Sequence, residues 1–372
     1  MNFDFSDDIK AVREEAKRFL QNRCPPAVVR RVLDGAATFD KELWTEIGAL
    51  GWLGAGIPEE LGGAGIGYDA LCVLAGEIGA SLAPVPFSSS AYLAAEAIML
   101  AGDEAQKRAL LPEIASGESI TTLALAEGPG NPDPAAIATT CRDGRLSGTK
   151  WPVPDGAIAD HAVVVASDSL GSIGFYRVSL EGEGVERRTL PTIDPTRNYA
   201  TLTLAGAPAQ ALRGNGEGWA LVQQLLDRAA VFFAFEQVGG AEAALMMARD
   251  YALERYAFGR PIASFQAIKH KLADIYVAVE LARAHAYYAA WALSHDAREL
   301  ASAASAARVA ASQAYYLASR ENIQIHGGMG FTWEMNCHLH YRRAKSLSIL
   351  LGSESYWQDR LIGELEHAEA AE

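Results

Sequence analysis

The stretch Tyr251-Ala-Leu-Glu-Arg255-Tyr-Ala-Phe258-Gly259-Arg-Pro261-Ile-Ala-Ser264-Phe-Gln266-Ala-Ile-Lys-His-Lys-Leu272 decides how this chain folds. The pattern is helical on both sides of it. Gly259 and Pro261 interrupt that pattern, because one frees the backbone and the other removes a donor. Two helices are therefore expected to meet at a sharp corner. Gln266 opens the second, and Ser264 is a candidate N-cap. From Ala263 to His326 there is no Gly or Pro, which suits long bundle helices with one tight connection near Ser294–Arg298. That run ends in Gln324-Ile-His326-Gly327-Gly328-Met-Gly330. Arg255, the ring of Phe258, Gln266 and Gln324-x-x-Gly327-Gly328 supply the parts of a nucleotide cradle. A guanidinium fork suits a diphosphate, and paired glycines let backbone N–H groups come close to phosphate or ribose. Taken alone, each half also reads as a plain helix corner or a Gly-rich helix end.

Outward from this corner, three textures follow one another. Residues 1–117 are helical in pattern, starting with the stripe Ile9, Val12, Ala16, Leu20. Further helices are expected near 40–50, 68–82, 90–101 and 103–116. The Gly-rich run Gly54–Gly67 breaks between them. Residues 118–212 hold short β-prone runs at Ile120–Ala126, His161–Ala166, Ile173–Val178 and Ala200–Leu204. Turn clusters such as Gly128–Pro134 separate them, so a small antiparallel sheet domain is expected. Arg213–Gly218 is the junction, and residues 217–372 return to helix. The Ala-rich face at 301–311 reads as close helix packing. The expected fold class is α+β, mainly α: an N-terminal helical domain, a middle antiparallel β domain and a C-terminal four-helix bundle.

Bulk composition narrows the function. The formal net charge is −14, which argues against a nucleic-acid groove, since phosphate binding needs clustered Lys and Arg. Cys24, Cys72, Cys141 and Cys337 are scattered with no C-x-x-C spacing and read as reduced thiols. The acidic N-terminus has neither the charged and apolar regions of a signal peptide nor an Arg-rich presequence. No apolar run is read as reaching the ~20 residues that span a bilayer. A cytoplasmic protein with no membrane partner is expected.

The two halves of the cradle, at their spacing, resemble the carboxy-terminal bundle of the acyl-CoA dehydrogenase family. The order helical, β, helical is similar as well. Trp44…Gly48…Gly51-Trp52-Leu53 followed by Pro58-Glu59-Glu60-x-Gly62-Gly63-x-Gly65 looks like that family's N-terminal signature, and Gly148-Thr149-Lys150 matches in the β region. The resemblance covers nearly the whole chain. It implies FAD held between the β domain and the bundle, an acyl-CoA substrate lying against it, and an acceptor such as an electron-transfer flavoprotein. It also implies a homotetramer or a heteromer with a related dehydrogenase. In the family, the adenine-side residues (here Arg255, Phe258, Gln266, Gln324, Gly327 and Gly328) are lent to a neighbouring subunit.

Acyl-CoA oxidation needs a base for the α-proton and donors that polarise the thioester carbonyl. Much of the family carries a Glu just before Gly-Thr, after an Arg-Asp-Ala-Lys-like segment. Here Arg342-Arg343-Ala344-Lys345 leads to Leu351-Gly352-Ser353, and leucine takes no proton. The backbone N–H of Leu351 still offers a donor. Glu354, three residues on, is a weak substitute. Some members place the base on the first bundle helix, as Glu before Arg. Asp227-Arg228 stands there, with Arg228 matching a substrate-side position. The pair reads either as a base one methylene short or as a structural Asp–Arg pair. At the flavin, Glu127 and Asp133 fall on the family's β-domain loop, read here as Ala126-Glu127-Gly128-Pro129-Gly130-Asn131-Pro132-Asp133. Trp151 and Val153 fall on the ring-facing strand, now Trp151-Pro152-Val153-Pro154. Proline there offers neither hydroxyl nor N–H.

Other motifs carry less. His338-x-His340 lacks a ligand set. Ser88-Ser89-Ser90 reads as a helix start. Phe232-Phe233 and Met246-Met247 read as bundle packing, with contact to an acyl chain as the other option. The leading expectation is an FAD-dependent acyl-CoA dehydrogenase. The alternatives are a half-site or non-catalytic subunit of a heteromer, and a scaffold that kept the fold and lost the flavin.

Overall fold

The computed structural model describes residues 4–214 and 218–370. Asn215, Gly216 and Glu217 of the expected junction lie outside the described residues. In chain order come α1 (Asp7–Arg23), α2 (Pro26–Leu33), α3 (Lys41–Ala49), α4 (Tyr68–Ala80), a π-helical stretch Ser88–Ala94, α5 (Ala95–Ala101) and α6 (Glu104–Ser116). Seven strands follow: β1 (Thr121–Ala124), β2 (Thr140–Arg142), β3 (Arg145–Pro154), β4 (His161–Ser167), β5 (Ile173–Ser179), β6 (Val185–Thr189) and β7 (Tyr199–Ala211). The rest is α7 (Gly218–Glu254), the small hairpin β8 (Tyr256–Ala257) and β9 (Arg260–Pro261), α8 (Gln266–Ser294), α9 (Leu300–His326), α10 (Cys337–Ile349) and α11 (Glu354–Ala370). This is the helical, β, helical order expected from the sequence. Packing groups the described residues into two compact units, one from Met1–Val29, Cys72–Ala83 and Ala230–Glu372, the other from Arg30–Leu71 and Pro84–Ala229.

In the sheet unit, seven strands run in the order β1-β4-β2-β3-β7-β5, with β6 on β7 and β4 also on β5. Most pairings are antiparallel, but β1 pairs parallel with β4, and Thr140 of β2 bridges Ser167 in parallel. The sheet is thus mixed where a purely antiparallel one was expected. Three strands escaped the sequence reading. β3 holds Gly148, Pro152 and Pro154, residues that are poor strand formers. Its register with β7 shifts between Leu146 and Ser147 and again between Lys150 and Val153, where Pro152 sits. β6 is Val-Glu-Arg-Arg-Thr, a charged edge without apolar alternation. β2 is three residues long. The serines at 88–90 begin the π-helical stretch and are all spent inside this unit. Ser88 accepts from Arg197, Ser89 donates to Asp155, and Ser90 donates to the Thr121 carbonyl. The starts of α1, α3 and α6 carry side-chain caps, from Ser6, from Asp40 and from the reciprocal Asp103–Gln106 box, each worth ~1 kcal/mol.

In the bundle unit, α8 and α9 are joined at Ser294–Leu300, as the Gly- and Pro-free run predicts. Ser264 is not the N-cap. Phe265 holds that position without a side-chain cap, and the Ser264 hydroxyl donates back to the Pro261 carbonyl at 2.7 Å. The short 3₁₀ turn Ile262–Ser264 closes first and takes the hydroxyl with it. α7 also exceeds the sequence estimate of apolar run length. It alone among the described residues is long and apolar enough to cross a membrane, yet 78% of that window is buried inside the protein, as in a core helix. Phe232 and Phe233 are fully buried in it.

α4 and α7 approach closely because both carry glycine at the contact. A Cβ on Gly79 would stand 1.9 Å from the Glu236 carbonyl oxygen, and one on Gly239 would stand 1.9 Å from that of Gly76. Those partners are backbone and cannot rotate away. Gly239→Ala is therefore expected to destabilise the protein by about 1–3 kcal/mol through overpacking. Thermal unfolding should show a midpoint several degrees lower; an unchanged midpoint would mean the two helices separate freely.

Candidate active site

The corner that the sequence singled out is a two-residue hairpin. Phe258 (φ 52°) and Gly259 (φ 78°) both lie in the left-handed region, as a type I′ turn requires. Glycine takes this at no cost; phenylalanine gives up ~1–2 kcal/mol. Its ring recovers little of that inside the chain, being 97% exposed. A strained, exposed ring at a hairpin tip is the kind of feature that marks a binding position. Behind the tip, Phe265 stacks edge-on to Phe258, and the Arg260 guanidinium lies 4.2 Å from the Phe265 ring centroid.

An apolar cluster sets this corner against the end of α9. Ala248, Ala252 and Ile325 form its centre, with Tyr251, Ile262, Ala263, Ile268 and Leu272 around them. The Tyr251 ring stacks on His326 at 4.0 Å, and its hydroxyl donates to the His326 carbonyl. Burial lowers the His326 pKa, which favours a neutral ring against the tyrosine. Arg255 and Gln266 on one side, and Gln324, Gly327 and Gly328 on the other, are all exposed. A Cβ at Gly327 or Gly328 would meet no atom within 4 Å, so the backbone there faces open space. All six residues that the sequence singled out here, Phe258 included, are therefore exposed on the bundle unit.

The sheet side is arranged differently. The Glu127 carboxylate accepts from Lys150 at 2.6 Å and from the Ala138 and Thr139 amides. It braces the loop that follows it, and Lys150 also donates to the Leu125 carbonyl. Burial disfavours the Glu127 charge, but Lys150 and Thr139 outweigh it and hold the pKa below the usual carboxylate value. Burial pushes the Lys150 pKa down to about 8. Asp133 is exposed and caps the turn Pro134–Ala136 by accepting from Ala135 N. Trp151 is 39% exposed, while Val153 is fully buried. The Val153 side chain thus fills the core and leaves only its backbone for a ligand.

At the start of α7, Asp227 is 7% exposed. Asp227 is buried, whereas Arg228 is half-buried. The Arg228 guanidinium donates to the Tyr68 hydroxyl at 2.9 Å and lies 3.3 Å from the Glu96 carboxylate. Burial raises the pKa of Glu96, with Arg228 and Tyr68 acting against it. Leu351 lies in the turn after α10 with φ 63°, followed by Gly352 at φ 112°. Glu354 is engaged on the surface by Gln313 and Gln358.

Two buried arginines anchor α10, and the sequence reading passed over both. Arg343 pairs with Glu236 at 3.5 Å, with both side chains fully buried, and donates to the Leu82 carbonyl. Arg308 donates to Gln237 and to the carbonyls of Leu347 and Leu350. Their signal was available: a lone Arg in the alanine run 301–311, and Glu236-Gln237 inside a Phe-rich helix. His340 is buried, hydrogen-bonds Tyr315, and is pushed down to about 3 by burial and Arg343. His338 stacks on Trp333. Asn322 donates to the Met247 sulfur.

Comparison with known proteins gives consistent matches. Residues 6–118 match the family description "Acyl-CoA dehydrogenase, N-terminal domain", and residues 216–364 match "Acyl-CoA dehydrogenase, C-terminal domain". The acyl-CoA dehydrogenase IpdE2 of Mycobacterium tuberculosis is 32% identical, over 96% of this chain and 98% of that protein. The solved Tcur3481-Tcur3483 steroid ACAD superposes with TM-score 0.88 at 33% identity, covering 98% of this chain and 99% of its own. The ChsE4-ChsE5 complex from Mycobacterium tuberculosis superposes with TM-score 0.89 at 27% identity, covering 98% and 99%.

The Glu127–Lys150 pair yields a direct test. Lys150→Met leaves a carboxylate buried without its cation, expected to cost about 3–5 kcal/mol. Adding Glu127→Gln should recover part of that loss in denaturant unfolding. Because the folded pKa of Glu127 is depressed, its contribution is complete above its unfolded value near 4.5 and is lost as pH falls through the folded value. Acid unfolding of the double variant should therefore be less steep over that window. A single variant as stable as the parent would remove the pair from the list of braces.

Proposed function

The chain belongs to the acyl-CoA dehydrogenase family, and on that premise we propose that it oxidises an acyl-CoA thioester to its enoyl-CoA with bound FAD. The observation that carries this reading is the outward-facing corner of Arg255, Phe258 and Gln266 beside the open backbone of Gly327 and Gly328. Those residues fit the nucleotide end of FAD. Arg255 would pair with its diphosphate, and the two glycines let N–H groups approach. On the sheet side, the fit is limited to the exposed Trp151 and the backbone around Val153. When bound, FAD would supply the acceptor for the β-hydride.

This chain's own residues would manage the α-proton. Leu351 has no proton-accepting group, so the base is assigned to Asp227, shielded at the start of α7. Its carboxylate would take the α-proton as the carbon–carbon double bond forms. The backbone N–H of Leu351 would donate to the thioester oxygen as negative charge develops there. Arg228 is committed to Glu96 and Tyr68, so its part is to fix the start of α7 and with it the aim of Asp227. An electron-transfer flavoprotein would reoxidise the cofactor.

A second reading is a heteromer with a related dehydrogenase, in the cytoplasm, acting on a bulky ring-bearing acyl-CoA. It is favoured by the contrast between an intact nucleotide corner and a ring-side strand of Pro152, buried Val153 and Pro154. It is also favoured by the similarity to the Tcur3481-Tcur3483 steroid ACAD and to the ChsE4-ChsE5 complex.

Asp227→Asn should keep flavin bound yet abolish both flavin bleaching by acyl-CoA and α-proton exchange with D₂O. Asp227→Glu should retain or raise activity. A displacement of about 1 Å can cost a hundredfold, so the shorter Asp leaves room for improvement. Wild-type exchange rates in Asp227→Asn would move the base elsewhere. For the cofactor, Arg255→Ala should lower flavin retention by about 1.5–3 kcal/mol of binding, measured by ultrafiltration and absorbance. The chain purified alone should carry less than one FAD per chain, rising on co-expression with a related dehydrogenase. Full, tight FAD with turnover in the chain alone would select the homo-oligomer.

A further inference from the structure

We propose that Arg308 is the positioning residue for the Leu351–Gly352 turn. The proposal rests on the reading that the Leu351 N–H meets the thioester oxygen. Arg308 lies on α9, 1% exposed, in a stretch whose nearest neighbours are alanine, valine and serine. A buried guanidinium in such a run has to be fully used. It donates to the Leu347 carbonyl and, at 2.8 Å, to the Leu350 carbonyl. Leu347 lies in the last turn of α10, where its carbonyl also accepts from the Leu350 N–H, and Leu350 is the residue that caps the helix end. Gln237 of α7 holds the other side of the fork. The positive charge also complements the negative end of the helix.

The chain leaves α10 through Leu350, extended at φ −73° and ψ 132°, and then enters the left-handed region at Leu351 and Gly352. A leucine stays there only when its surroundings over-determine it. The planar fork fixes two carbonyls three residues apart, and so fixes the direction in which the next N–H groups point. The body of α10 is held separately, by Arg343 on Glu236. Loss of the Arg308 fork should therefore loosen the turn without melting the helix. Lysine would keep the charge but could not span both carbonyls and Gln237 at once.

Two measurements test this. The first is amide hydrogen exchange read by mass spectrometry over residues 348–354, with 338–346 as reference. The second is the absorption band of bound 3-indoleacryloyl-CoA, whose conjugated carbonyl moves to longer wavelength when it accepts a hydrogen bond. Arg308→Lys should speed exchange in the turn by at least about tenfold, leave the reference amides protected and reduce the band shift. Gln237→Leu, which removes the brace behind Arg308, should act in the same direction more weakly and serves if the first variant does not fold. Wild-type turn amides exchanging as fast as the exposed hairpin at 256–260 would overturn the proposal without any variant. A wild-type band shift that survives in Arg308→Lys, with exchange unchanged, would overturn the role of Arg308 alone. A wild-type protein that leaves the band unshifted while its turn stays protected would instead remove the thioester contact of Leu351, and with it any positioning role.

Discussion

The bundle unit depends on two cations buried against adjacent residues of one helix. Glu236 takes Arg343, and Gln237 takes Arg308. Removing one partner of a buried pair typically costs about 3–5 kcal/mol, far more than an exposed pair is worth. The arrangement also dictates geometry. Arg343 holds the body of α10 and the Leu82 carbonyl, while Arg308 holds the end of α10. The glycines at 76, 79, 239 and 240 bring α4, α7 and Tyr315 close enough for these polar groups to be sealed from water. Small residues and buried charge are thus two parts of one device. The glycines allow the approach, and the arginines give buried carbonyls of Leu82, Leu347 and Leu350 and one oxygen of Glu236 a charged donor.

The cofactor-side residues fall into two physical classes. Those at the bundle corner are exposed and spend little on the rest of the chain. Phe258 accepts an unfavourable φ and leaves its ring almost wholly in solvent, touching Phe265 edge-on. On the sheet side, carboxylates and amides are consumed internally. Glu127 serves Lys150 and a loop, Asp133 caps a turn, and Val153 packs the core. The two sides thus differ in how much of their polar chemistry is spent inside the chain. Arg228 likewise is engaged internally, by Glu96 and Tyr68.

Several elements were legible because their signals are local. The helical order, the connection near Ser294, the opening of α8 at Gln266 and four of the strands follow from periodicity and breakers. Other features were hidden for equally physical reasons. β3 carries little local strand signal because it holds Gly148, Pro152 and Pro154, yet it pairs with β7 through a register shift around Pro152 and keeps Pro154 opposite Tyr199. Ser264 looked like a cap because serine prefers that place, but the preceding 3₁₀ turn claimed its hydroxyl. The parallel pairing of β1 with β4 depends on which strands meet, and no local pattern encodes that.

What the sequence by itself determined was the family and which residue types stand where: Arg255, Phe258, Gln266 and Gln324–Gly328 around one corner, a leucine at 351, and Asp227-Arg228 on the first bundle helix. Spacing and residue type carry that information, since the chemistry needs particular groups at particular intervals. Only the tertiary structure decided how those groups are used. It showed Arg228 drawn to Glu96, Glu127 drawn to Lys150, and the Leu351 turn gripped by Arg308. The reason is that a buried charge must find a partner, and the partner is set by which helices and strands lie side by side, residues apart by tens or hundreds in the chain.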